Sequence, residues 1–308
     1  MTAPVPPTSE RSPATRNLTA LVAVLVALVI GAGLAVAGSF RGAQVGGIPV
    51  FAIAVTAAFV IQFVVFLPSA LRRTERFFDL TGSLTFIAVS IALALLAPAQ
   101  DARGWILAAM VVVWAARLGS FLFARVHRAG TDGRFDEIKT NPLRFFQVWC
   151  IQGLWVALTA SAAWIAMSAD AADRAPLDGF AVAGIVVWLA GMVFEVVADL
   201  QKQAFRADPA NKGEFIRTGL WSRSRHPNYF GEILVWVGVF VVAVPVLQGW
   251  QWVAVLSPLF VVLLLTRVSG IPLLEKRADE RWGDRADYRA YRDRTPVLIP
   301  ALTARSGS

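Results

Sequence analysis

Hydrophobic residues in this chain come in long, nearly unbroken runs, without the alternation of a half-buried strand or the one-sided stripe of a surface helix. The first is Leu18–Gly38, and others follow at Ile48–Leu67, Leu80–Ala97, Trp105–Ala124, Phe145–Met167, Phe180–Leu200, Phe230–Val246 and Trp250–Thr266. A helix needs roughly 20 apolar residues to cross a bilayer. The pattern therefore predicts an all-α, polytopic integral membrane bundle of eight transmembrane helices. Only Pro245 and the LQGW stretch separate the last two runs, so a single irregular segment, giving seven spans, is the alternative. The first run has the basic flank of a signal peptide, but its length suits a spanning helix better than an h-region.

The polar remainder sets the organisation. Residues 1–17 are rich in Pro, Ser and Thr with no apolar period, which predicts a disordered cytoplasmic tail, and residues 301–308 read as a second one. Between them, residues 18–300 form a single membrane domain. Its polar mass lies in Arg125–Arg144, in Gln201–Tyr229 and in the carboxyl-terminal stretch, which places function at that end of the bundle.

Composition agrees: 56% of residues are hydrophobic and 16% charged, against roughly 25% charged in soluble domains. The net charge of +8 follows from topology. With the amino terminus inside, 25 of the 29 Lys and Arg residues fall in inner segments. Arg41, Arg103 and Arg174 fall outside, and Arg117 lies within a span. By the positive-inside rule both termini are cytoplasmic and the protein is a multi-pass component of the cytoplasmic (inner) membrane. No nucleic-acid partner is needed to explain the charge. One cysteine, Cys150, permits no intrachain disulfide, and two histidines without an accompanying ligand array argue against a metal site.

Several ionisable residues sit where a bilayer disfavours them. Glu195 and Asp199 are four apart on one face of the sixth span. They line a pocket in the bundle interior, or else lie in the headgroup layer answering Lys202 and Arg206. Arg117 is their counter-charge or snorkels to lipid phosphates. Asp79, in FFDLTGS, caps the third span or offers a polar group at its inner rim. Gln62, Gln147 and Gln152 supply interhelical hydrogen bonds.

The segment before the seventh span carries more. Arg217, Arg223, Arg225 and His226 precede a helix that begins near Asn228 or Tyr229, with Pro227 suited to its first turn and Gly231 permitting close approach. Free helix amides ringed by guanidinium groups form a seat for phosphate or carboxylate. Glu232, one turn after Asn228, is placed to accept from ribose hydroxyls or an amide. Bare positive-inside arginines would explain Arg217 and Arg223, but not the mixture of His, Asn, Tyr and Glu. In the carboxyl-terminal stretch Trp282, Tyr288 and Tyr291 stand amid dense charge. That stretch lies in the interface as an amphipathic segment, or folds over the polar mouth and offers its tyrosines to a nucleotide-like ligand.

Glu195-x-x-x-Asp199, TGLW, SRHPNYFGE and the closing Tyr288–Tyr291 to Ile299-Pro300 together resemble the bacterial, DUF1295-like branch of the steroid 5-alpha-reductase membrane family. FFDLTGSLTF and RFFQVWCIQGLWV extend the resemblance from about Phe51 to Pro300. It implies NADPH held by residues 195–300 and reduction of a double bond conjugated to a carbonyl in an apolar, steroid-like or lipid substrate. Asp199, Arg206, Asn228 and Glu232 match cofactor-binding positions, Arg217 one near the phosphates, and Arg225, His226, Tyr229, Tyr288 and Tyr291 join them in the same blocks. Glu195 stands where animal steroid enzymes have asparagine. No tyrosine precedes Tyr229, so the family's amino-terminal catalytic tyrosine has no counterpart, and Asp79 or Glu195 as a neutral acid would have to take its polarising role.

Arg225–Gly231 and Glu275–Tyr291 also resemble membrane methyltransferases of isoprenylated cysteine carboxylates or phospholipid amines. S-adenosylmethionine would then replace NADPH. A noncatalytic lipid-binding protein is the third possibility and would bind neither cofactor saturably.

Overall fold

The computed structural model describes residues 12–129 and 135–301, with the backbone alone over 121–129. Among the described residues, eight helical segments are long and apolar enough to cross a membrane, so the chain is a multi-pass helical bundle. The helices are α1 (Pro13–Gly38), α2 (Val50–Leu71), α3 (Phe78–Leu96), α4 (Ala102–Ala129), α5 (Pro142–Met167), α6 (Gly179–Ala207), α7 (Pro227–Ala243), α8 (Leu256–Leu263), α9 (Ile271–Trp282) and α10 (Ala286–Arg294).

Two features differ from the sequence expectation at the ends. Residues 12–17, expected in the disordered tail, belong to α1: Ser12 caps it by accepting from the Thr15 amide at 3.2 Å, and Pro13 fits the first turn. The rest of that tail, residues 1–11, lies outside the described residues, as do 302–308 of the second. The eighth span runs on past Thr266 to Trp282 and is irregular. It passes from a 3₁₀ stretch (Gly249–Val255) through α8 and a π turn (Leu264–Val268) to a break at Ser269 and Gly270, and then into α9. It is a span separate from α7, which removes the seven-helix alternative.

α5 is the axis of the bundle. It packs against α1, α2, α3, α4, α7 and α8, and from Val156 to Met167 every residue is buried. A helix that is apolar or small on all sides belongs in the centre. Polar side chains within the bundle cross-link helices: Gln62 donates to Thr85 Oγ1 at 2.8 Å, Trp164 to Ser90 Oγ at 2.9 Å, and Gln152 to the Phe78 carbonyl at 3.0 Å. Cys150 is buried and free.

α6 and α7 pack along an extended contact in which their backbones approach closely. A Cβ on Gly191 would sit 2.6 Å from the Val235 amide nitrogen, and one on Gly231 would sit 2.6 Å from the Glu195 amide nitrogen. Both obstacles are backbone, which cannot rotate aside. Glycine at these positions brings the two backbones into contact and fixes the face of α6 carrying Glu195 and Asp199 against the first turns of α7.

The opposite end is closed by Arg103, counted from sequence among the loop cations but almost fully buried in the first turn of α4. It donates to the Val242 and Pro176 carbonyls, each at 2.6 Å, and pairs with Asp178 at 3.1 Å. Asp178 also caps α6, accepting from the Ala181 amide, and that bond holds its carboxyl below the usual range.

Candidate functional site

The chemistry gathers where α6 and α7 meet at the basic end of the bundle. Arg117, on α4, reaches both intramembrane acids: Nη1 pairs with Glu195 Oε1 and Nη2 with Asp199 Oδ2. Of the two roles expected for Arg117, it takes that of counter-charge. Glu195 is the more buried of the two acids and lies beside the Trp114 indole. Asn228 lies beside Asp199, and Glu232 lies within electrostatic reach of Glu195, Asp199 and Arg117. The result is a compact set of three carboxylates, one guanidinium and one carboxamide.

Lys202, one turn beyond Asp199, connects this cluster to a cavity of about 470 Å³. Lys202, Arg206, Lys212, Arg225, Arg277 and Arg281 line the cavity against only two carboxylates, Glu214 and Glu275. Its walls come from the end of α6, the 208–226 segment, α9 and α10. Lys202 lies over the Trp221 ring at 4.5 Å, while the Trp221 indole donates to the Ala198 carbonyl at 3.0 Å, tying the 219–222 turn to α6.

The first turn of α7 is held by a three-residue lock. His226 Nε2 lies 2.7 Å from Glu275 Oε1, and Arg225 Nη2 lies 3.0 Å from Glu275 Oε2. The His226 ring stacks on Tyr229 at 5.7 Å. Among the described residues neither His226 Nδ1 nor Arg225 Nε has a hydrogen-bond partner, although both residues line the cavity. Buried donors and acceptors of this kind are normally satisfied, so they mark the wall where a polar ligand fits.

The carboxyl-terminal stretch does fold over the polar mouth. The Arg225 amide donates to the Pro296 carbonyl at 2.9 Å, and the Ala301 amide to the Arg223 carbonyl at 2.9 Å. Its tyrosines are spent on packing: Tyr288 and Tyr291 surround Phe215 at 5.1 and 5.4 Å, and the Tyr291 hydroxyl donates to the Trp221 carbonyl at 2.7 Å. Burial pushes the Tyr288 phenol up to about 12 and raises that of Tyr291 as well. Arg285 pairs with Glu214 and Asp287 on the outer surface, and its hydrogen bonds hold both carboxyls below their usual range.

The structure thus brings Glu195, Asp199, Asn228, Tyr229 and Glu232 together, and Arg206, Arg225, His226, Tyr288 and Tyr291 around the adjoining cavity. Arg217 does not line that cavity: it is half exposed and pairs with Asp287 at 3.5 Å. Asp79 lies in the first turn of α3, whose cap position is taken by Phe77. Lys212, Phe215, Trp221, Arg277 and Arg281 were not singled out from sequence. The signal available was the four-residue spacing of Arg277 and Arg281, which puts them on one face of α9.

A family model described as a protein of unknown function (DUF1295) matches residues 65–295. The chain is 34% identical over 68 residues to a probable O-methyltransferase, ustE, of Ustilaginoidea virens, an alignment covering 22% of this chain and 24% of that protein. It is 26% identical over 230 residues to an uncharacterized protein of Schizosaccharomyces pombe, covering 65% of this chain and 64% of the relative. The matched part is therefore about a quarter of one relative's length and just under two thirds of the other's. No solved structure matches the chain.

Proposed function

We propose that this chain, which belongs to the DUF1295 family, is a membrane enzyme that uses NADPH to reduce an activated C=C bond in an apolar, steroid-like or lipid substrate. The observation that carries the reading is the cavity of about 470 Å³ lined by six Lys and Arg side chains, one of which, Lys202, is also a charged neighbour of Asp199 in the Glu195, Asp199, Asn228 and Glu232 cluster. A volume of that size is ordinary for a small-molecule site, roughly 300–1,000 Å³. Its cationic excess suits the phosphates of a dinucleotide, and the unpartnered His226 Nδ1 and Arg225 Nε are donor or acceptor positions on the same wall. The carboxylate and carboxamide groups of α6 and α7 suit ribose hydroxyls and an amide. When bound, NADPH supplies the hydride.

The chain's own residues then have separable tasks. Arg117 fixes the orientation of Glu195 and Asp199, and Asp199 in turn fixes the Asn228 amide. The backbone contact of α6 with α7 excludes water between them. Asp79, or Glu195 when protonated and released from its ion pair with Arg117, delivers the proton or hydrogen bond that polarises the substrate carbonyl, since no tyrosine precedes Tyr229. NADPH oxidation driven by an apolar enone tests this directly in detergent-purified protein. Wild type should turn over, and either Asp79→Asn or Glu195→Gln should slow it at least tenfold. Unchanged turnover in one variant removes that residue as proton donor, and unchanged turnover in both removes the mechanism. The orientation with both termini at the cytoplasmic face of an inner membrane is part of the same proposal, supported by the distribution of Lys and Arg.

A second reading is favoured by a specific observation. The relative named a probable O-methyltransferase, the lock of Arg225 and His226 on Glu275, and three carboxylates around one guanidinium all suit a cationic cofactor such as S-adenosylmethionine. Saturable S-adenosylmethionine binding without NADPH binding would establish it.

A further inference from the structure

A second cavity, of about 490 Å³, lies at the same end of the bundle but away from the α6–α7 junction, between the start of α1 and the segment leading into α5. Its lining is Pro13 and Arg16 from α1, Asp136, Glu137 and Thr140 from the segment before α5, and Asn141 and Arg144 from the start of α5. The Asn141 side chain donates to Asn17 Oδ1 at 2.8 Å and accepts from the Leu143 and Arg144 amides, so the two helix ends are joined directly.

The charges here are not spent on each other. Among the described residues neither Arg16 nor Arg144 has a carboxylate within ion-pair distance, although two carboxylates line the same cavity. Glu137 likewise has no ion-pair partner among the described residues, while Asp136 pairs with Lys139 at 3.0 Å. Both arginines are half-buried, which is a costly place to hold an uncompensated guanidinium. Among the described residues the cavity therefore presents two cations and one anion without ion-pair partners, and a ligand carrying both signs matches it.

Position narrows the ligand further. Immediately beyond Arg16, Leu18, Leu21, Val22 and Leu25 are exposed apolar side chains on α1, a helix long and apolar enough to cross a membrane. We propose that this cavity binds the headgroup of an aminophospholipid from the surrounding bilayer. Arg16 and Arg144 take the phosphate, Asp136 and Glu137 take the primary ammonium, and the acyl chains lie along α1. A primary ammonium donates hydrogen bonds to carboxylates, whereas a trimethylammonium cannot. A phosphatidylethanolamine-type headgroup is thus preferred over choline and glycerol headgroups.

Native mass spectrometry of the full chain, delipidated and then mixed with defined lipids, tests the proposal. Phosphatidylethanolamine should be retained at least fivefold over phosphatidylglycerol and phosphatidylcholine. Asp136→Asn/Glu137→Gln should abolish the preference over phosphatidylglycerol, and Arg16→Gln/Arg144→Gln should lower retention of all three lipids. Millimolar inorganic phosphate should displace none of them. A single cooperative thermal unfolding transition, matching that of wild type, reports that each variant is folded. Equal retention of the three lipids by wild type, an unchanged preference in the carboxylate variant, or full displacement by inorganic phosphate would each overturn the assignment.

Discussion

Arg117→Gln is the most informative single substitution in the bundle. The guanidinium is shared by Glu195 and Asp199 inside the membrane-spanning region, and its removal strands two carboxylates at once. Losing one partner of a buried ion pair costs about 3–5 kcal/mol because the remaining charge is left without compensation. The two arms are unequal. The Glu195 side chain is 5% exposed and the Asp199 side chain 19%, and Asp199 keeps Asn228 and the nearby Lys202 after the change. Glu195 keeps only the neighbouring Trp114 indole, which carries no charge. The loss should therefore be ~3 kcal/mol, toward the lower end of that range, and most of it should reside in the Glu195 arm. Reversible unfolding of detergent-purified protein in mixed micelles measures it. Arg117→Gln/Glu195→Gln should recover more than half of the loss, with a coupling energy of about 2 kcal/mol, and Arg117→Gln/Asp199→Asn distinctly less. A loss below about 0.5 kcal/mol, the scale of a surface substitution, or equal rescue by the two double variants would refute the argument.

Three further outcomes follow from the packing. Gly191→Leu drives a side chain into the α7 backbone, where its Cβ alone would stand 2.6 Å from the Val235 amide nitrogen; it should lower stability by at least the ~1–3 kcal/mol of an overpacked core and abolish cofactor binding, whereas Gly33→Leu, which meets nothing within 4 Å, should be neutral in thermal-shift assays. Arg103→Ala leaves the Val242 and Pro176 carbonyls without their donor, and limited proteolysis should show faster cleavage between residues 169 and 178. Glu214 and Asp287 have their carboxyls depressed by hydrogen bonds from Arg285, so their contribution is present above the ordinary carboxylate range and is lost as pH falls through the depressed folded values. Trp282 fluorescence should report loosening of the carboxyl-terminal segment on acidification, and Arg285→Ala should remove that acid limb.

Much of the fold was legible because the bilayer imposes a length rule that soluble proteins lack, and each of the eight apolar runs became a span. The boundaries were less legible. Residues 12–17 have no apolar period, yet Ser12 and Pro13 supply a cap and a first turn. The eighth span continues through a π turn into charged α9, a course that hydropathy cannot signal. Within the site, Glu195, Asp199, Asn228 and Glu232 stood out because charge inside a span, or polar residues at a helix mouth, are exceptional. The cavity's far wall did not, because Arg277 and Arg281 look like any positive-inside cations until α9 folds back. From sequence the charge of Arg217 is indistinguishable from that of Arg225, and the fold turns it outward to Asp287. Tyr288 and Tyr291 were placed in the right region, but their neighbour Phe215 claims them for packing.

The central claim is that the α6–α7 junction and its basic cavity hold NADPH. Isothermal titration calorimetry of the detergent-purified chain with NADPH and, separately, S-adenosylmethionine tests it most directly, with Asn228→Ala and Glu232→Ala as controls. The account predicts saturable NADPH binding that weakens at least tenfold in either variant and falls with rising salt as the cavity's cations are screened. Binding of S-adenosylmethionine alone, or NADPH binding indifferent to both substitutions, would contradict it.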